Sequence, residues 1–446
     1  RYVSTLCNFG LHKMLDPKLL RECPEKIKEA AARKRVGSSD LVDAWLSADE
    51  KRRAAQTKAD ALRAEQGQIG GEVGKLKGKL KGGTSPELEQ LLAKATELKG
   101  KYESAVAEQT TAETEALTIM LQLPAIPDPD WPVGKDADEN VVVRKWHAPG
   151  REPKPLEKGQ LDHIALGEKL GILDFDRGVK LAGSRSYVLR GSGALLYNAV
   201  LRFAMDVLVA RGWEPFVVPV VVTEQCMIGT GYFPAGRDQA YVTQDNTVLV
   251  GTSEVPLASF HGAEILDEKD LPKRFTASSS CFRREAGAAG KDTAGLYRVH
   301  QFDKVEQVVI HKADDAEHIA LHEEIIANSE HILQQLGLAY RVVQNCTGDM
   351  GQGKWRMYDI ETWMPGRNQY GETHSGSALR DFQARRLNLR YRKAGEKSPQ
   401  FCYTLNNTAI ACPRVLIAIM ETYQNTDGSI SVPDVLKSYM HGKDVI

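Results

Sequence analysis

Arginine and glutamate side chains cluster in the segment CFRREAGAAGKDTAGLYRVHQFDKVE, residues 281–306. Two short β-prone pieces flank a loop rich in Gly and Ala. Arg283 and Glu285 lie at the first piece, and Arg298 and Glu306 lie at the second. If the pieces pair as neighbouring strands, these charges gather at one end of a sheet. A planar guanidinium can bind a phosphate through two bonds at once, so Arg283 and Arg298 could flank one triphosphate.

The same segment offers contacts for the rest of a nucleotide and for an amine. Phe302 could present a flat face to a purine, and Glu306 could receive an ammonium or a hydroxyl. An alternative without chemistry pairs Arg283 with Glu285 or Glu306 as cross-strand salt bridges. The segment by itself leaves both interpretations open.

Two further segments carry polar residues at positions suited to binding. In GTSEVPLA, residues 251–258, Thr252 and Glu254 would share one face of an extended piece and could bind the amine of a small zwitterion. The alternative is a helix cap before VPLASF. In TLNNTAIACPRVLIAIM, residues 404–420, the pattern predicts strand, polar turn and helix. Arg414 lies near the helix start, where backbone N–H groups favour an anion; the alternative is a surface arginine.

The elements that must hold these residues begin at about residue 160, where short strands alternate with amphipathic helices. ALLYNAVLRFAMDVLVARGW reads as a helix ended by Gly212, and EPFVVPVVV as the strand after it. A final helix is predicted over 412–424. Antiparallel strands with helices beside them indicate an α+β domain. The other predicted strands lie near 247–250, 274–281, 298–311, 340–344, 356–363 and 401–404.

Residues 40–122 have a different pattern and predict a helical hairpin. Apolar residues recur at alternating steps of three and four in two arms, which is the period of a coiled-coil seam. Gly82 and Gly83 would end the first arm, and Ser85 would cap the second, with Pro86 at its first position. At about 1.5 Å per residue, the hairpin should extend about 50 Å or more into solvent.

The first arm of the hairpin is basic and the second is acidic. Residues 51–81 contain nine Lys or Arg and three acids. One interpretation is a structural or dimerising coiled coil with a solvated face, and the other is a basic arm laid on phosphates. Five glycines weaken the distal helix, which suits a tip that adapts to a partner and equally suits simple tolerance. They are Gly67, Gly70, Gly71, Gly74 and Gly78.

Composition sets the remaining bounds. The 446 residues carry a net charge of −1, so a nucleic-acid contact must come from a local patch. Seven scattered cysteines without a CxxC pair argue for reduced thiols and against a cysteine-based zinc site. No apolar run of membrane-spanning length is expected, since PFVVPVVV is short and contains prolines. Residues 1–13, which lack acids, are expected to be a transit-peptide remnant or an artefact of expression.

From about Met14 onward the chain resembles the class II aminoacyl-tRNA synthetases and, among them, the seryl-tRNA synthetases of the common non-zinc type. The resemblance is carried by MLDPKLLRE, GTGYFPAGRDQAY, GTSEVPLA, the segment 281–306, CTGDMGQGKWRMYDIETWMP and DFQARRLNLRYR. The three class II signatures fall at Pro219, at Arg283 with Glu285, and at the helix of Arg414. The implied fold is an α+β antiparallel sheet flanked by helices and preceded by a coiled-coil domain.

The resemblance implies a role for each matching residue. Arg283 and Arg414 would be catalytic. Arg283 would bind the ATP α-phosphate, and Arg298 and Arg414 the bent β- and γ-phosphates. Glu372 and Ser375 would hold Mg²⁺, with no zinc. Further ATP contacts would come from Glu285, Val299, Phe302, Glu372 and Ser375. Phe302 would stack on one face of adenine, with Arg414 on the other. Serine would be bound by Thr252, Glu254, Arg283, Glu306, Asn406 and Thr408.

The implied activity is ligation of L-serine to tRNA-Ser through a seryl-adenylate, with tRNA-Sec as a further acceptor where that tRNA is present. The implied partners are tRNA-Ser, whose variable arm would lie on the coiled coil, and a second copy in a homodimer, with no membrane. The expected location is the cytoplasm, or an organelle if residues 1–13 derive from a transit peptide. The domains would be 1–123, with the arm at about 40–122, a linker at 124–160, and a catalytic domain at 161–446.

Two other functions stay open. One is a non-catalytic paralogue that binds tRNA or protein, and its mark would be lost site residues. The other is serine activation for a carrier protein, which should lack the arm. The chain also departs from the common pattern at Arg284, Gly376 and Ala378, and Ala378 puts the local hydrogen bonding in question.

Overall fold

The computed structural model describes residues 15–288, 290 and 292–446, so the expectation for residues 1–13 lies outside the described residues. The helices are α1 Pro17–Glu22, α2 Pro24–Lys34, α3 Ser39–Leu80, α4 Pro86–Met120, α5 His163–Lys169, α6 Phe175–Ala182, α7 Ser192–Ala210, α8 Glu224–Gly229, α9 Glu254–Ser259, α10 Asp315–Gln335, α11 Phe382–Leu387 and α12 Arg414–Thr422.

The strands are β1 Val141–Trp146, β2 Leu173–Asp174, β3 Val188–Leu189, β4 Glu214–Phe216, β5 Val221–Thr223, β6 Tyr241–Val242, β7 Thr247–Leu249, β8 Ile265–Asp267, β9 Lys273–Phe282, β10 Gln301–His311, β11 Tyr340–Gln344, β12 Arg356–Met364, β13 Gln369–Arg380, β14 Arg390–Arg392, β15 Gln400–Phe401 and β16 Tyr403–Cys412. Within the described residues, eight of them form one sheet in the order β1-β11-β12-β13-β16-β10-β9-β4. Every neighbouring pair is antiparallel except β4 with β9, which confirms the predicted α+β antiparallel sheet.

The two faces of this sheet have different neighbours. Helices α7 and α10 pack on one face, where Val305 and Val309 of β10 and Leu405 of β16 join the main hydrophobic core. Because successive side chains of a strand point to opposite faces, the residues between them face the other way. These include Glu306 on β10 and Asn406 on β16. The helices therefore support the sheet from behind and leave its other face for the polar residues.

Helix α7 corrects the expectation that no apolar run would reach membrane-spanning length. Its 19 residues are long and apolar enough to cross a membrane by length and composition, and half of that stretch is buried inside the protein. Leu196, Val200 and Ala204 pack into the main core. A core helix passes the same test, because both environments select apolar side chains.

The predicted hairpin is formed by α3 and α4, of 42 and 35 residues. Buried seam positions include Ala59 and Ile69 on α3 and Ala105 on α4, as the spacing predicts. The Ser85 hydroxyl accepts a hydrogen bond from the Leu88 N–H at 3.2 Å, which confirms the expected cap. At about 1.5 Å per residue, α3 is about 63 Å long.

The base of the hairpin is fixed to the rest of the chain by two buried basic side chains. Lys34, at the end of α2, donates through Nζ to the carbonyls of Gln352 and Lys354 at 2.9 and 2.6 Å. Arg386 on α11 donates to the carbonyls of Ile228 and Leu121. A buried polar group must be hydrogen-bonded, so these contacts fix the position of the hairpin base against the rest of the chain.

Two local predictions were wrong. Residues 214–222 form two strands in separate sheets, β4 and β5, because Pro219 lacks the N–H that a continuous ladder needs. The predicted polar turn after residue 404 is the central strand β16. Its polar side chains are typical of a turn, but in the structure they have hydrogen-bond partners on both faces of the sheet. Strand β13 and strand β1 were not predicted.

Candidate active site

A cavity of ≈ 660 Å³ lies on the polar face of the sheet. Strands β9, β10, β13 and β16 and the first turn of α12 supply its walls. The structure brings together on these walls all but one of the predicted site residues: Glu254, Arg283, Glu285, Arg298, Val299, Phe302, Glu306, Glu372, Ser375, Asn406, Thr408 and Arg414. Thr252 lies directly behind Glu306, to which its hydroxyl donates at 3.2 Å.

Arg283 follows β9 at the mouth of the cavity. Its guanidinium carbon lies 5.2 Å from the centre of the Phe302 ring, and NH2 donates to the Gly251 carbonyl at 3.4 Å. Within the described part of the chain it forms no ion pair, so the predicted cross-strand bridges to Glu285 or Glu306 are absent there. Arg283 therefore keeps donors available for an anion in the cavity.

The other two arginines are held by fixed acceptors. Arg298 NH1 donates to Glu285 Oε2 at 2.8 Å. Arg414, the first residue of α12, donates through Nε to the Tyr297 carbonyl at 2.9 Å and through NH1 to the Glu372 carbonyl at 2.7 Å. The guanidinium of Arg414 lies over the Tyr297 ring, 4.4 Å from its centre. These contacts hold two positive charges on one side of the cavity.

Two buried carboxylates, Glu254 and Glu306, line the same cavity. The Lys304 ammonium contacts the Glu306 carboxylate and donates to the Thr252 hydroxyl at 2.7 Å. Burial raises the pKa of Glu306, and Lys304 opposes that rise. The Thr252 hydroxyl also accepts from the Glu254 N–H at 3.1 Å. Of the two interpretations of residues 251–258, the structure has the helical one, because α9 begins at Glu254. Glu254 lines the cavity, and Thr252 reaches it through its hydrogen bond to Glu306.

Glu254 accepts three hydrogen bonds from uncharged donors. Its Oε1 accepts from Asn406 at 2.8 Å and from Gln383 at 2.7 Å, and its Oε2 accepts from the Tyr232 hydroxyl at 2.6 Å. Burial and the nearby carboxylate raise the pKa of Tyr232 well above its ordinary value, so the tyrosine stays a donor. Three hydrogen bonds therefore fix the Glu254 carboxylate on the cavity wall.

Glu372 and Ser375 lie on β13 beside Arg414. Glu372 Oε2 is 3.4 Å from Arg414 NH1. Asp359 on β12 is the strand partner of Ser375, and burial together with the charge of Glu372 raises the pKa of Asp359 to about 8. A carboxylate and a hydroxyl are hard oxygen donors of the kind that Mg²⁺ prefers. The residues present therefore fit this ion.

The departures at Gly376 and Ala378 are accommodated by their neighbours. A Cβ on Gly376 would lie 2.4 Å from Cδ1 of Ile326, so the helix α10 side chain occupies the space that a larger residue would take. Ala378 is fully buried, and its carbonyl accepts from the Trp355 N–H at 2.7 Å. Arg284 points away from the site and donates to the Asp238 carbonyl at 3.3 Å.

Three residues that contact the site's buried carboxylates were not predicted: Lys304, Tyr232 and Gln383. Lys304 could have been found from strand alternation, since it precedes Glu306 by two positions and shares its face. Tyr232 and Gln383 come from loops and helices far away in the sequence, and no periodic pattern marks them. Both lie within segments already noted for the resemblance.

A nucleotide-sized cavity with three arginines and an acceptor-lined pocket, built on an antiparallel sheet, defines a class II tRNA synthetase core. The family model for the "tRNA synthetase class II core domain (G, H, P, S and T)" matches residues 241–423, and that for the "Seryl-tRNA synthetase N-terminal domain" matches residues 14–127.

Similar proteins narrow the class. The serine--tRNA ligase of Deinococcus radiodurans is 41% identical over 97% of this chain and 99% of that protein. The seryl-tRNA synthetase of Pyrococcus horikoshii, in a crystal structure with ATP, is 38% identical, with a TM-score of 0.85 over 97% of this chain and 99% of the other. The cytoplasmic enzyme of Naegleria fowleri, in complex with AMP, is 31% identical, with a TM-score of 0.81 over 97% and 98%. This chain belongs to the seryl-tRNA synthetase family.

Proposed function

We propose that this enzyme ligates L-serine to tRNA-Ser with ATP, through a seryl-adenylate, and serylates tRNA-Sec where that tRNA is present. One observation carries the proposal: the buried carboxylates Glu254 and Glu306 line the same cavity as three arginines. The carboxylates suit an ammonium and a hydroxyl, and the arginines suit a triphosphate. Relatives named for this activity support the same reaction.

In the first step, the serine carboxylate attacks the α-phosphorus of ATP, and pyrophosphate leaves. Arg283 would bind the α-phosphate and stabilise the charge that develops there, since it is the arginine whose donors are least committed. Arg298 and Arg414 would hold the β- and γ-phosphates, and Phe302, Glu285 and Val299 the adenine side. Positioning and charge stabilisation supply most of the acceleration in such a transfer.

In the second step, the terminal ribose hydroxyl of the tRNA attacks the seryl carbonyl, and AMP leaves. Thr252, Glu254, Glu306, Asn406 and Thr408 would hold serine during both steps. A pocket built of buried acceptors rejects alanine, because a missing hydroxyl leaves those acceptors unpaired.

Mg²⁺ would be held by Glu372 and Ser375, which lie on one strand beside the phosphate-binding arginines. When bound, the ion supplies positive charge that offsets the charge of the phosphates. The chain's own contribution here is orientation: the Glu372 carbonyl fixes Arg414, while its carboxylate stays on the cavity wall.

The hairpin of α3 and α4 would bind the variable arm of the tRNA, by backbone and shape contacts more than by base reading. The basic residues of α3 support this. Some are paired across the hairpin, as Lys58 is with Glu108 at 2.7 Å, and the arm remains exposed to solvent along its length.

A homodimer would use α7 and the segment around Pro219. Apolar side chains are exposed on or beside these elements at Val209, Val217 and Val221. Exposed apolar side chains at these positions would be covered by a second copy of the chain. We further propose that the enzyme acts in the cytoplasm; an organelle is the alternative, should residues 1–13 prove to be a transit-peptide remnant.

Two assays test the function. Serine-dependent ATP–pyrophosphate exchange should be present, and its absence would favour the non-catalytic paralogue. Charging of tRNA-Ser should follow, whereas exchange without charging would favour serine activation for a carrier protein.

A further inference from the structure

Gln383 of α11 lies behind the substrate pocket, and its side-chain amide is completely engaged. Its Nε2 donates to Glu254 Oε1 at 2.7 Å and to the Thr230 carbonyl at 3.1 Å. Its Oε1 accepts from the Thr404 hydroxyl at 2.8 Å. An amide has two N–H donors and one carbonyl oxygen, so a flipped amide would aim its oxygen at two acceptors. Only one orientation of Gln383 is therefore compatible with its surroundings.

Glu254, the carboxylate that Gln383 binds, has few acceptor positions left for a substrate. An ionised carboxylate accepts about four hydrogen bonds. Glu254 already accepts from Gln383 and Asn406 on Oε1 and from Tyr232 on Oε2. About one acceptor position remains, on Oε2, which also accepts from the Tyr232 hydroxyl.

The hydrogen-bonding partners of Glu254 differ in charge from those of its neighbour Glu306. Lys304 forms an ion pair with Glu306. Over residues 15–288, 290 and 292–446, no lysine, arginine or histidine forms an ion pair with Glu254. Glu254 thus offers the cavity a carboxylate whose fixed partners are all neutral, and a donor on the substrate is its natural complement.

We propose that Gln383 is a positioning residue for substrate recognition: it fixes the Glu254 carboxylate so that one acceptor position faces the bound serine. This inference rests on the proposed function. Gln383 itself touches neither serine nor ATP, and it acts by holding Glu254 in one rotamer. The Thr404 hydroxyl, in turn, fixes the amide of Gln383.

The test is pyrophosphate exchange with the purified full-length chain and two variants. Gln383→Met keeps the length of the side chain and removes its donors, so Glu254 loses one of its three hydrogen bonds and is held less firmly in its rotamer. We expect the KM for serine to rise about 10- to 100-fold, because a buried hydrogen bond to a charged group is lost. The KM for ATP should stay within about twofold, since the arginines are untouched.

Gln383→Glu tests the role through the pH dependence of the serine KM, which a merely structural role would leave unchanged. It keeps the shape but places two carboxyl groups at hydrogen-bond distance, where they must share a proton. The shared proton restores the bond to Glu254 at low pH and is lost as pH rises. We therefore expect the serine KM of Gln383→Glu to increase with pH relative to that of the unmodified enzyme.

Gln307→Met is the matched control. Gln307 is equally buried, donates to the Ile325 carbonyl at 3.2 Å, accepts from Asn328 at 2.7 Å, and faces the helices instead of the cavity. Its loss should lower stability and leave the serine KM unchanged. If Gln383→Met does not fold, judged by circular dichroism, the isosteric Gln383→Glu still decides the matter.

The inference is overturned if the folded Gln383 variants have the serine KM and the pH dependence of the unmodified enzyme, or if their KM for ATP rises as much as that for serine. Failure of the proposed function would give a different result: the unmodified enzyme itself would show no serine-dependent exchange.

Discussion

The hairpin and the catalytic sheet bury their residues in contrasting ways. Along α3 and α4 a single narrow seam is buried, and ion pairs such as Lys58 with Glu108 lie in solvent. In the sheet, polar and charged residues are buried as deeply as the apolar ones, and Glu306 and Gln307 of β10 are 1% and 0% exposed. Exposed pairs contribute little to stability, whereas a buried polar network is costly unless nearly every member is satisfied.

The two patterns of burial match two different functions within one chain. A surface that binds a long nucleic acid needs accessible charge and tolerates movement. A site that aligns a carboxylate with a phosphorus atom needs side chains fixed in one position. The hairpin therefore suits binding at a distance, and the sheet suits chemistry. The following experiments test whether the two regions are as independent as this division implies.

The largest effect is expected at the sheet. Arg283→Ala should reduce serine-dependent pyrophosphate exchange by about 10²–10³-fold or more, because a fixed donor to the developing charge is removed. Affinity for tRNA, measured by filter binding, should stay nearly unchanged. Arg284→Ala removes the same charge one residue away and should retain exchange, since that side chain contacts only the Asp238 carbonyl among the bonds described. An active Arg283→Ala enzyme would remove Arg283 from the mechanism.

The hairpin should give the reverse pattern. Deleting residues 52–112 and closing the gap with a short Gly–Ser linker should spare pyrophosphate exchange. The cut lies between the ion pairs Lys51–Glu115 and Lys58–Glu108, where the helices are adjacent. Charging of tRNA-Ser should fall about 100-fold or more, because the phosphate contacts proposed for the basic helix would be lost. Charging that survives the deletion would show that the hairpin is not the tRNA contact.

Much of this contrast could be predicted from the sequence. The hairpin follows from a strict 3.5-residue period, its cap from Ser85 and Pro86, and the site residues from motif resemblance. What sequence reasoning missed are residues whose role is set by tertiary contact. The amide of Gln383 acquires its orientation only when β16, α9 and α11 meet. The segment 404–412 was misread for a similar reason: polar side chains in a strand resemble a turn until both faces have partners.

Acid should affect the sheet and spare the hairpin. Burial lowers the pKa of His322 to about 4 and that of His374 to about 3, while α3 and α4 contain no histidine. Between pH 6.5 and about 4 the unfolded chain binds protons at these positions and the folded chain does not. The free energy of unfolding should therefore fall as pH falls, by up to about 1.4 kcal/mol per pH unit for each histidine.

Urea unfolding at pH 7 and pH 5, followed by tryptophan fluorescence, measures this slope. The matched variant is His322→Gln, which can still donate to the Gly376 carbonyl that His322 Nε2 contacts at 3.1 Å. Its slope should be shallower by up to one proton. An unchanged slope would show that His322 does not contribute to acid sensitivity.

The smallest effects are expected on stability, when glycine is replaced by alanine in each of the two regions. On α3, a Cβ at Gly70 or Gly74 would have no atom within 4 Å, so each alanine should stabilise the helix by about 0.5–1 kcal/mol. On α7, a Cβ at Gly193 would lie 2.6 Å from the Ile172 carbonyl oxygen, so alanine there should destabilise the protein by about 1–3 kcal/mol. Hydrogen exchange of the amides in each helix measures both changes.

The double variant Gly70→Ala, Gly74→Ala also decides between the two explanations for glycines in α3. If the distal arm must adapt to the tRNA, stiffening it should raise the KM for tRNA-Ser while exchange protection in α3 increases. If the glycines are merely tolerated, protection should increase and the KM should stay the same. A loss of protection in α3 would contradict the description of these glycines as open helix positions, because nothing described near them could then account for a cost.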